Sequence, residues 1–503
     1  MPNFSYLLEC PGGQEISLSS DILFERMNLI VMFRVCCNLS PTLFNLFIND
    51  LPDIFNTQSC DPVLLGDTRL SCLLYADDLV ILSESECGLQ SCLTKLHSYT
   101  KRWKLKINLK KSKILIFGTQ SQRRLHSLSK WYVGQDQLGW VDEYNYLGIT
   151  FHFSGGFKLA QKLLYNKALR AYHSIFKSFS NIDNVPVKVL LKLFPSLVVP
   201  VLLYGCEVWG VYLLGKTANI DNFKRKLFKT ASNIEKLHLK FCKRILGVHS
   251  KSTNSAVHAE LGRVPMIVQI SSLIVKYWLR ITNPEYKDTI VGTAACSCVK
   301  ANFQGVIFTN HILEISDAKS LTEIHIPLEQ IAVVSKHVKT KLNNHFSKIC
   351  MSNIQQSDES GNGGKSRTYR KVKFLACFEN YLSTISILKH RQAVTRLRLS
   401  AHKLPVESGR YKNIPYDSRL CIFCNLKEIG DEFHYLSICT NQLFVKVRSV
   451  FLNDLFNLNS AFRSFSRQDI FMYTLSMKDS STVNLMAKYC HSILTLFDNL
   501  CTD

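Results

Sequence analysis

Residues 69–83 read RLSCLLYADDLVILS. Two short apolar runs enclose a pair of adjacent aspartates, Asp77 and Asp78. Length and apolarity predict a β-hairpin buried on at least one face, with the aspartates at its turn. Two neighbouring carboxylates repel each other, which raises a carboxylate pKa and strains the turn unless a counter-ion is present. A divalent cation removes that penalty, and hard carboxylate oxygens suit magnesium. Aspartate also enters exposed turns readily, so the pair takes its meaning from what surrounds it.

Upstream, residues 38–50 (NLSPTLFNLFIND) predict a buried helix with a Ser-Pro start, since proline is tolerated in a first helical turn. Downstream, Leu89, Leu93, Leu96, Tyr99 and Trp103 recur three or four apart and predict one face of an amphipathic helix over 86–103. Residues 107–118 (INLKKSKILIFG) are strand-like, and 158–300 are mainly helical in pattern. Residues 355–369 (QQSDESGNGGKSRTY) are polar and glycine-rich, hence a loop or linker. Residues 1–35 are irregular.

The chain has 503 residues, more than one core normally serves, which predicts two to four domains. With 46% hydrophobic and 20% charged residues, the composition is that of a folding chain. Lys and Arg number 61 against 39 Asp and Glu, a net charge of +22, which favours a polyanionic partner, nucleic acid first. The most apolar stretch, 193–206, is short for a bilayer span and contains Pro195 and Pro200, so no membrane partner is expected. The opening MPNFSYLLECPGG has no signal-peptide pattern, and the 18 cysteines read as reduced thiols of a nuclear or cytoplasmic, not secreted, protein.

Cys421, Cys424, His434 and Cys439 form a C-x2-C-x9-H-x4-C pattern. Three thiolates and one imidazole can close a tetrahedral zinc site with no open position, and the metal would supply folding energy to a small segment. Phe423, Phe433 and Tyr435 within it are candidates either for stacking on bases or for the small core around the metal. Two basic clusters stand out. One is Lys101, Arg102, Lys104, Lys106, Lys110, Lys111 and Lys113. The other is Lys365, Arg367, Arg370, Lys371 and Lys373, continuing to Lys389, Arg391, Arg396 and Arg398. Both are candidate phosphate-binding surfaces.

Together these motifs resemble a known family. Tyr75-Ala76-Asp77-Asp78 resembles the YxDD box of reverse transcriptases. Leu39-Ser40-Pro41-Thr42-Leu43-Phe44-Asn45 resembles the LSPxLFN helix that precedes it in non-long-terminal-repeat retrotransposons. Asn108, Lys110, Lys111, Ser112 and Lys113 are similar to the next palm motif, and Tyr146-Leu147-Gly148 to the primer grip. Tyr204 to Trp209 and Lys240 to Pro265 resemble the region beyond the palm, and Arg396 to Tyr411 the run leading into a C-terminal zinc knuckle. Order and spacing agree over about residues 36–445.

The resemblance implies an α+β fold. Its parts would be a partial polymerase palm at 36–154, a helical thumb-like region at 155–300 and a helical region at 301–404 with a linker near 355–369. A zinc knuckle at 405–445 and a helical tail at 446–503 would follow. It implies that Asp77 and Asp78 are catalytic carboxylates holding magnesium and that Tyr75 lies beside the primer terminus. Lys113 would assist pyrophosphate departure or contact a phosphate. Ser40, Pro41, Lys110, Lys111, Tyr146, Leu147, Gly148, Arg367, Arg370, Lys371, Arg396 and Arg398 would touch an RNA template and a DNA primer or target.

The chain departs from the family in two places. The family carries a further metal-binding aspartate in an upstream FxDxxxAFD motif, whereas residues 1–35 contain only Asp21, in an unrelated context. It also carries Gln-Gly where this chain has Val35-Cys36, and cysteine obstructs the close backbone approach that glycine allows. The expectation is an N-terminally truncated polymerase, catalytically incomplete as this chain alone. The alternative is a non-catalytic nucleic-acid-binding remnant.

Overall fold

The computed structural model describes residues 7–9, 15–17, 40–125, 129–179, 185–215, 219–229, 232–320, 326–356, 366–477, 479 and 481–502. They form a mixed helical and stranded chain in two compact units. One comprises residues up to Tyr144 with His152–Gly155, and the other Asn145–Phe151 with Gly156 onward.

The first unit holds most of the strands, all paired as short two-stranded sheets. They are β1 (Leu7–Glu9) with β2 (Glu15–Ser17), β3 (Val63–Leu65) with β4 (Thr68–Leu70), and β5 (Cys72–Tyr75) with β6 (Asp78–Ile81). Further on, β7 (Ile114–Leu115) pairs in parallel with β10 (Trp140–Val141), and β8 (Trp131–Val133) pairs with β9 (Asp136–Leu138). The unit's longer helices are α1 (Ser40–Phe47) and α2 (Glu86–Arg102), and α2 packs against β8.

Helix α2 forms where the apolar period predicts it. The Ser85 hydroxyl caps it by accepting from Gly88 N at 3.1 Å, Glu86 sits in the first turn, and Lys101 and Arg102 sit in the last, each charge opposing the helix dipole. Its buried face carries Cys92, Leu93, Leu96 and Tyr99. Leu96, Tyr99 and Cys92 pack with Ile48, Leu51, Phe55 and Cys60 in one core, against which Leu74, Leu79 and Ile81 of the β5–β6 hairpin lean. Leu93 joins Trp131, Val133 and Leu138 in a second core.

The strand-like reading of 107–118 holds only for Ile114–Leu115. The lysine-rich half is a turn instead, in which the Asn108 carbonyl accepts from Ser112 N at 2.9 Å and its side chain from Lys111 N at 3.2 Å.

The second unit is almost wholly helical around one continuous apolar core. Its principal helices are α3 (Lys158–Ser178), α4 (Asn233–Leu246), α5 (Asn254–Leu261), α6 (Met266–Ile281), α7 (Leu328–Gln355), α8 (Leu388–Arg398), α9 (Gln442–Leu458) and α10 (Val483–Leu500). The apolar stretch 193–206 is a broken helix whose wide turn at Phe194–Val198 contains Pro195, the residue that cannot donate to the preceding turn. Among the described residues no single helix is long and apolar enough to cross a membrane.

Candidate functional site

The aspartate pair sits on the hairpin predicted for it. Strands β5 and β6 pair with Tyr75 opposite Asp78, leaving Ala76 and Asp77 as the turn. Cys72, Leu74, Leu79 and Ile81 face the core, while Tyr75, Asp77 and Asp78 are exposed. Ala76 lies at φ +51°, a left-handed conformation that an L-residue adopts at a cost of about 1 kcal/mol. The turn is therefore held by the pairing on either side of it. Among the described residues, no cluster of three or more potential ligands includes either aspartate. Lys110, Lys111 and Lys113 are exposed on and just after the turn that begins at Asn108, which Tyr144 Oη ties down by donating to the Lys111 carbonyl at 3.1 Å.

Tyr146, Leu147 and Gly148 lie at a second hairpin, between Glu143–Tyr146 and Ile149–His152. Leu147 at φ +47° and Gly148 at φ +84° form its turn. A two-residue hairpin turn with both φ positive matches the strand twist, and glycine meets it without steric cost. Tyr204 Oη donates to the Leu147 carbonyl at 2.9 Å, and a Cβ on Gly148 would stand 3.1 Å from the Tyr204 ring. Beside this turn lies an open cleft of about 670 Å3, lined in part by Tyr146, Leu147, Pro195, Pro200, Tyr204 and Gln269. The side chains of Ser40 and Pro41 lie outside the described residues, as do Val35 and Cys36.

The four predicted metal ligands come together. Cys421 and Cys439 Sγ are 3.9 Å apart, Cys424 Sγ and His434 Nε2 are 3.4 Å apart, and all four donor atoms lie within 4.8 Å of one another. A disulfide would hold its sulfurs at about 2.05 Å. A tetrahedral ion with Zn–S near 2.3 Å and Zn–N near 2.05 Å separates its ligands by about 3.8 Å (S to S) and about 3.5 Å (S to N). The Cys421–Cys439 and Cys424–His434 separations match those edges.

Glu428 Oε2 stands 3.2 Å from His434 Nδ1 and directs Nε2 toward the sulfurs, the usual role of a carboxylate behind a metal-binding histidine. Asp431 Oδ1 accepts from the His434 backbone N–H at 2.8 Å. The contact between the Cys421 and Cys439 sulfurs lowers the Cys421 thiol and raises that of Cys439. Burial opposes a charge on His434, but hydrogen bonds to Cys421 and Glu428 outweigh it and raise the imidazole to about 9.

The aromatic residues of this segment serve its core. Phe423 packs on Tyr435, Phe444 and Phe497 with ring centroids 6.4, 5.9 and 5.6 Å away, and Phe433 on Phe471 at 5.2 Å.

The second basic cluster divides, and for several of its members the sequence reading is corrected. Arg398 is fully buried and donates to both oxygens of Glu260, at 2.7 and 3.2 Å. Arg367 is buried against Glu432 and lies 3.8 Å from Glu407. Arg391 donates to the Ile385 carbonyl at 3.0 Å, and Lys373 to the Cys377 carbonyl at 2.7 Å, both from the interior. These groups spend their charge inside the fold. The helical period explains the split on α8: Arg391 and Arg398 share a face with Val394 and Thr395, whereas Arg396 points outward. Arg396, Lys371 and Lys389 are exposed, Arg370 is half-buried, and Lys365 lies outside the described residues.

Sequence reasoning missed the carboxylates that receive these cations. Glu432 accepts from Arg367, from Thr368 Oγ1 at 3.1 Å and from His402 Nε2 at 2.8 Å. Glu260 accepts from Arg398, Tyr369 and Tyr381. Each pair is separated by dozens of residues, so no local spacing announces it.

Comparison with known proteins agrees with this arrangement. The sequence profile of the family described as reverse transcriptase (RNA-dependent DNA polymerase) matches residues 31–151. The chain is similar to a Pol polyprotein from a type-1 retrotransposable element R2 of Popillia japonica, 24% identical over 34% of this chain and 28% of the relative. It is similar to a probable RNA-directed DNA polymerase from transposon BS of Drosophila melanogaster, 26% identical over 34% of this chain and 19% of the relative. It also resembles a putative transposon-derived protein of Caenorhabditis elegans, 30% identical over 28% of this chain and 49% of the relative. The match thus spans between a fifth and a half of each relative's length. With the YADD turn displayed on a core-backed hairpin inside the matched residues, the chain carries a segment of a reverse transcriptase of the non-long-terminal-repeat retrotransposon kind.

Proposed function

We propose that the chain is a primer–template-binding part of a retrotransposon reverse transcriptase, with residues 36–154 a partial palm, 155–300 thumb-like, and 405–445 a zinc knuckle. The observation that carries this is the exposed Tyr75-Ala76-Asp77-Asp78 turn within the matched residues 31–151. Asp77 and Asp78 would hold magnesium, which when bound supplies charge neutralisation at the attacking and leaving oxygens of phosphoryl transfer. Tyr75, exposed one residue before the turn, would flank the primer terminus, and Lys113 would meet a phosphate. Tyr146, Leu147 and Gly148 would position the primer backbone, a role for which their tightly held turn is suited. The knuckle ligands Cys421, Cys424, His434 and Cys439 would hold zinc and keep the 405–445 segment folded, and exposed basic groups such as Lys371 and Arg396 would add phosphate contacts.

As 503 residues alone, the chain has two of the family's carboxylates and no match to the FxDxxxAFD motif. Positioning both ions and the primer oxygen together dominates this chemistry, so extension by this chain alone should be negligible. Extension of a primed RNA template with magnesium or manganese tests the proposal. Negligible extension by the unmodified chain, recovered when the FxDxxxAFD segment and the Gln-Gly pair are supplied and lost again in Asp77→Ala, is the expected pattern. Robust extension by the unmodified chain that survives Asp77→Ala would overturn the assignment of the aspartates.

A further inference from the structure

A second ligand cluster lies inside the helical unit, formed by residues given no role so far. Glu235 is in the first turn of α4, His238 follows one turn later, and His258 comes from α5. All three are buried or nearly so, and their donor atoms lie within 4.8 Å of one another. Glu235 Oε1 stands 3.3 Å from His238 Nδ1 and 3.2 Å from His258 Nε2, so a single oxygen faces two imidazole nitrogens. The other carboxylate oxygen accepts from Met266 N at 2.7 Å, at the start of α6.

Three features favour an ion over plain hydrogen bonding. The separations are long for charge-assisted hydrogen bonds, which run about 2.7–2.9 Å. They fall at the edge of a tetrahedron whose N and O ligands lie about 2.05 Å from a zinc ion, close to 3.3 Å. Buried carboxylates are paired or coordinate metals, and the ion-pair partners of Glu235 among the described residues are these two histidines, with no lysine or arginine. The rings are also fixed in place. His238 packs on Phe194 with centroids 5.7 Å apart, and His258 meets Phe346 edge-on at 5.3 Å. A pre-set pair of imidazoles and a carboxylate is a donor set that suits zinc.

We propose that Glu235, His238 and His258 bind one zinc ion, with its fourth position left to a water molecule, and that the ion ties α4 to α5 and, through Glu235, to the first turn of α6. The proposal is independent of the reverse transcriptase assignment and of the Cys421–Cys439 cluster.

Metal content of the full chain, purified without chelators and with zinc in the growth medium, tests it. Two zinc ions per chain are expected. Cys424→Ser should retain one, and so should His258→Gln, in which the amide can still donate to Glu235 but is a poor ligand. The double variant should hold none. Cobalt substitution gives a second reading that does not depend on a variant at this site folding. In Cys424→Ser, bound cobalt should show weak visible bands without the strong thiolate charge-transfer absorption of the cysteine cluster. A folded Cys424→Ser chain free of zinc and unable to take up cobalt would overturn this site while leaving the knuckle intact. A Cys424→Ser chain that keeps every zinc ion of the parent would instead overturn the knuckle. A folded His258→Gln chain with undiminished metal would show that the triad is only a hydrogen-bonded one.

Discussion

Single residues divide sharply here between those sealed inside the fold and those left at its surface. Arg398 and Arg396 are two positions apart on α8, yet one is sealed against Glu260 and the other is exposed. Removing one partner of a buried ion pair costs about 3–5 kcal/mol, because the remaining charge stays in the interior. Arg398→Met should therefore lower stability by about that amount in denaturant titrations at neutral pH, while Arg396→Ala, which removes one exposed hydrogen bond to the Gly247 carbonyl, should cost no more than about 1 kcal/mol. The pH dependence carries a sign. Burial alone would raise the Glu260 carboxyl, but Arg398 and its hydrogen bonds outweigh it and hold it below the usual range. Its contribution is thus present above the unfolded value of about 4.3 and lost as pH falls toward the folded one. In Arg398→Met the carboxyl should shift above its unfolded value, so the deficit should shrink on acidification. A deficit that stays constant from pH 7 to pH 4 would contradict this. The sequence showed which residues were basic, but Arg398 and Glu260 lie 138 positions apart, and only the fold brings them together.

Elements were legible where a short-range physical signal sets them. The period-3.6 apolar face of α2, its Ser85 cap and its charged ends are all local, and the helix spans Glu86–Arg102 as that pattern predicts. The YADD hairpin was equally legible, since two apolar runs around a pair of turn-forming aspartates leave few alternatives. The Cys/His cluster was readable from ligand spacing alone, whereas Glu428 behind His434 was not, because an acidic residue in a loop has no spacing that marks it. The lysine-rich segment 107–113 was misread as strand. Its turn depends on the Asn108 side chain and carbonyl meeting Lys111 and Ser112, a competition that alternation of apolar residues does not register. If the four ligands hold zinc, Cys424→Ser or a strong chelator should loosen residues 405–445. Amide hydrogen exchange should accelerate there, while α2 and the β5–β6 hairpin stay protected. Uniform acceleration across both units would argue against a local metal-dependent fold. Within the first unit, Leu93→Ala removes a buried side chain shared with Trp131 and Val133 and should cost about 2–5 kcal/mol in thermal or chemical unfolding.

For the whole molecule, the excess of 61 basic over 39 acidic residues survives the loss of a few cations to interior pairs. Lys110, Lys111 and Lys113 in one unit, and Lys371, Lys389 and Arg396 in the other, remain exposed. Phosphate neutralisation by such groups releases condensed counter-ions, so affinity falls linearly with salt on logarithmic axes, with a slope set by the number of phosphates contacted. The measurement that tests the central claim most directly is titration of the folded chain with a labelled, DNA-primed RNA template at several salt concentrations. The account predicts binding at low salt that weakens steeply as salt rises. It also predicts a slope reduced by about one for each of Lys110→Ala, Lys111→Ala and Lys113→Ala that removes a phosphate contact. No binding at low salt, from a sample shown to be folded, would contradict it.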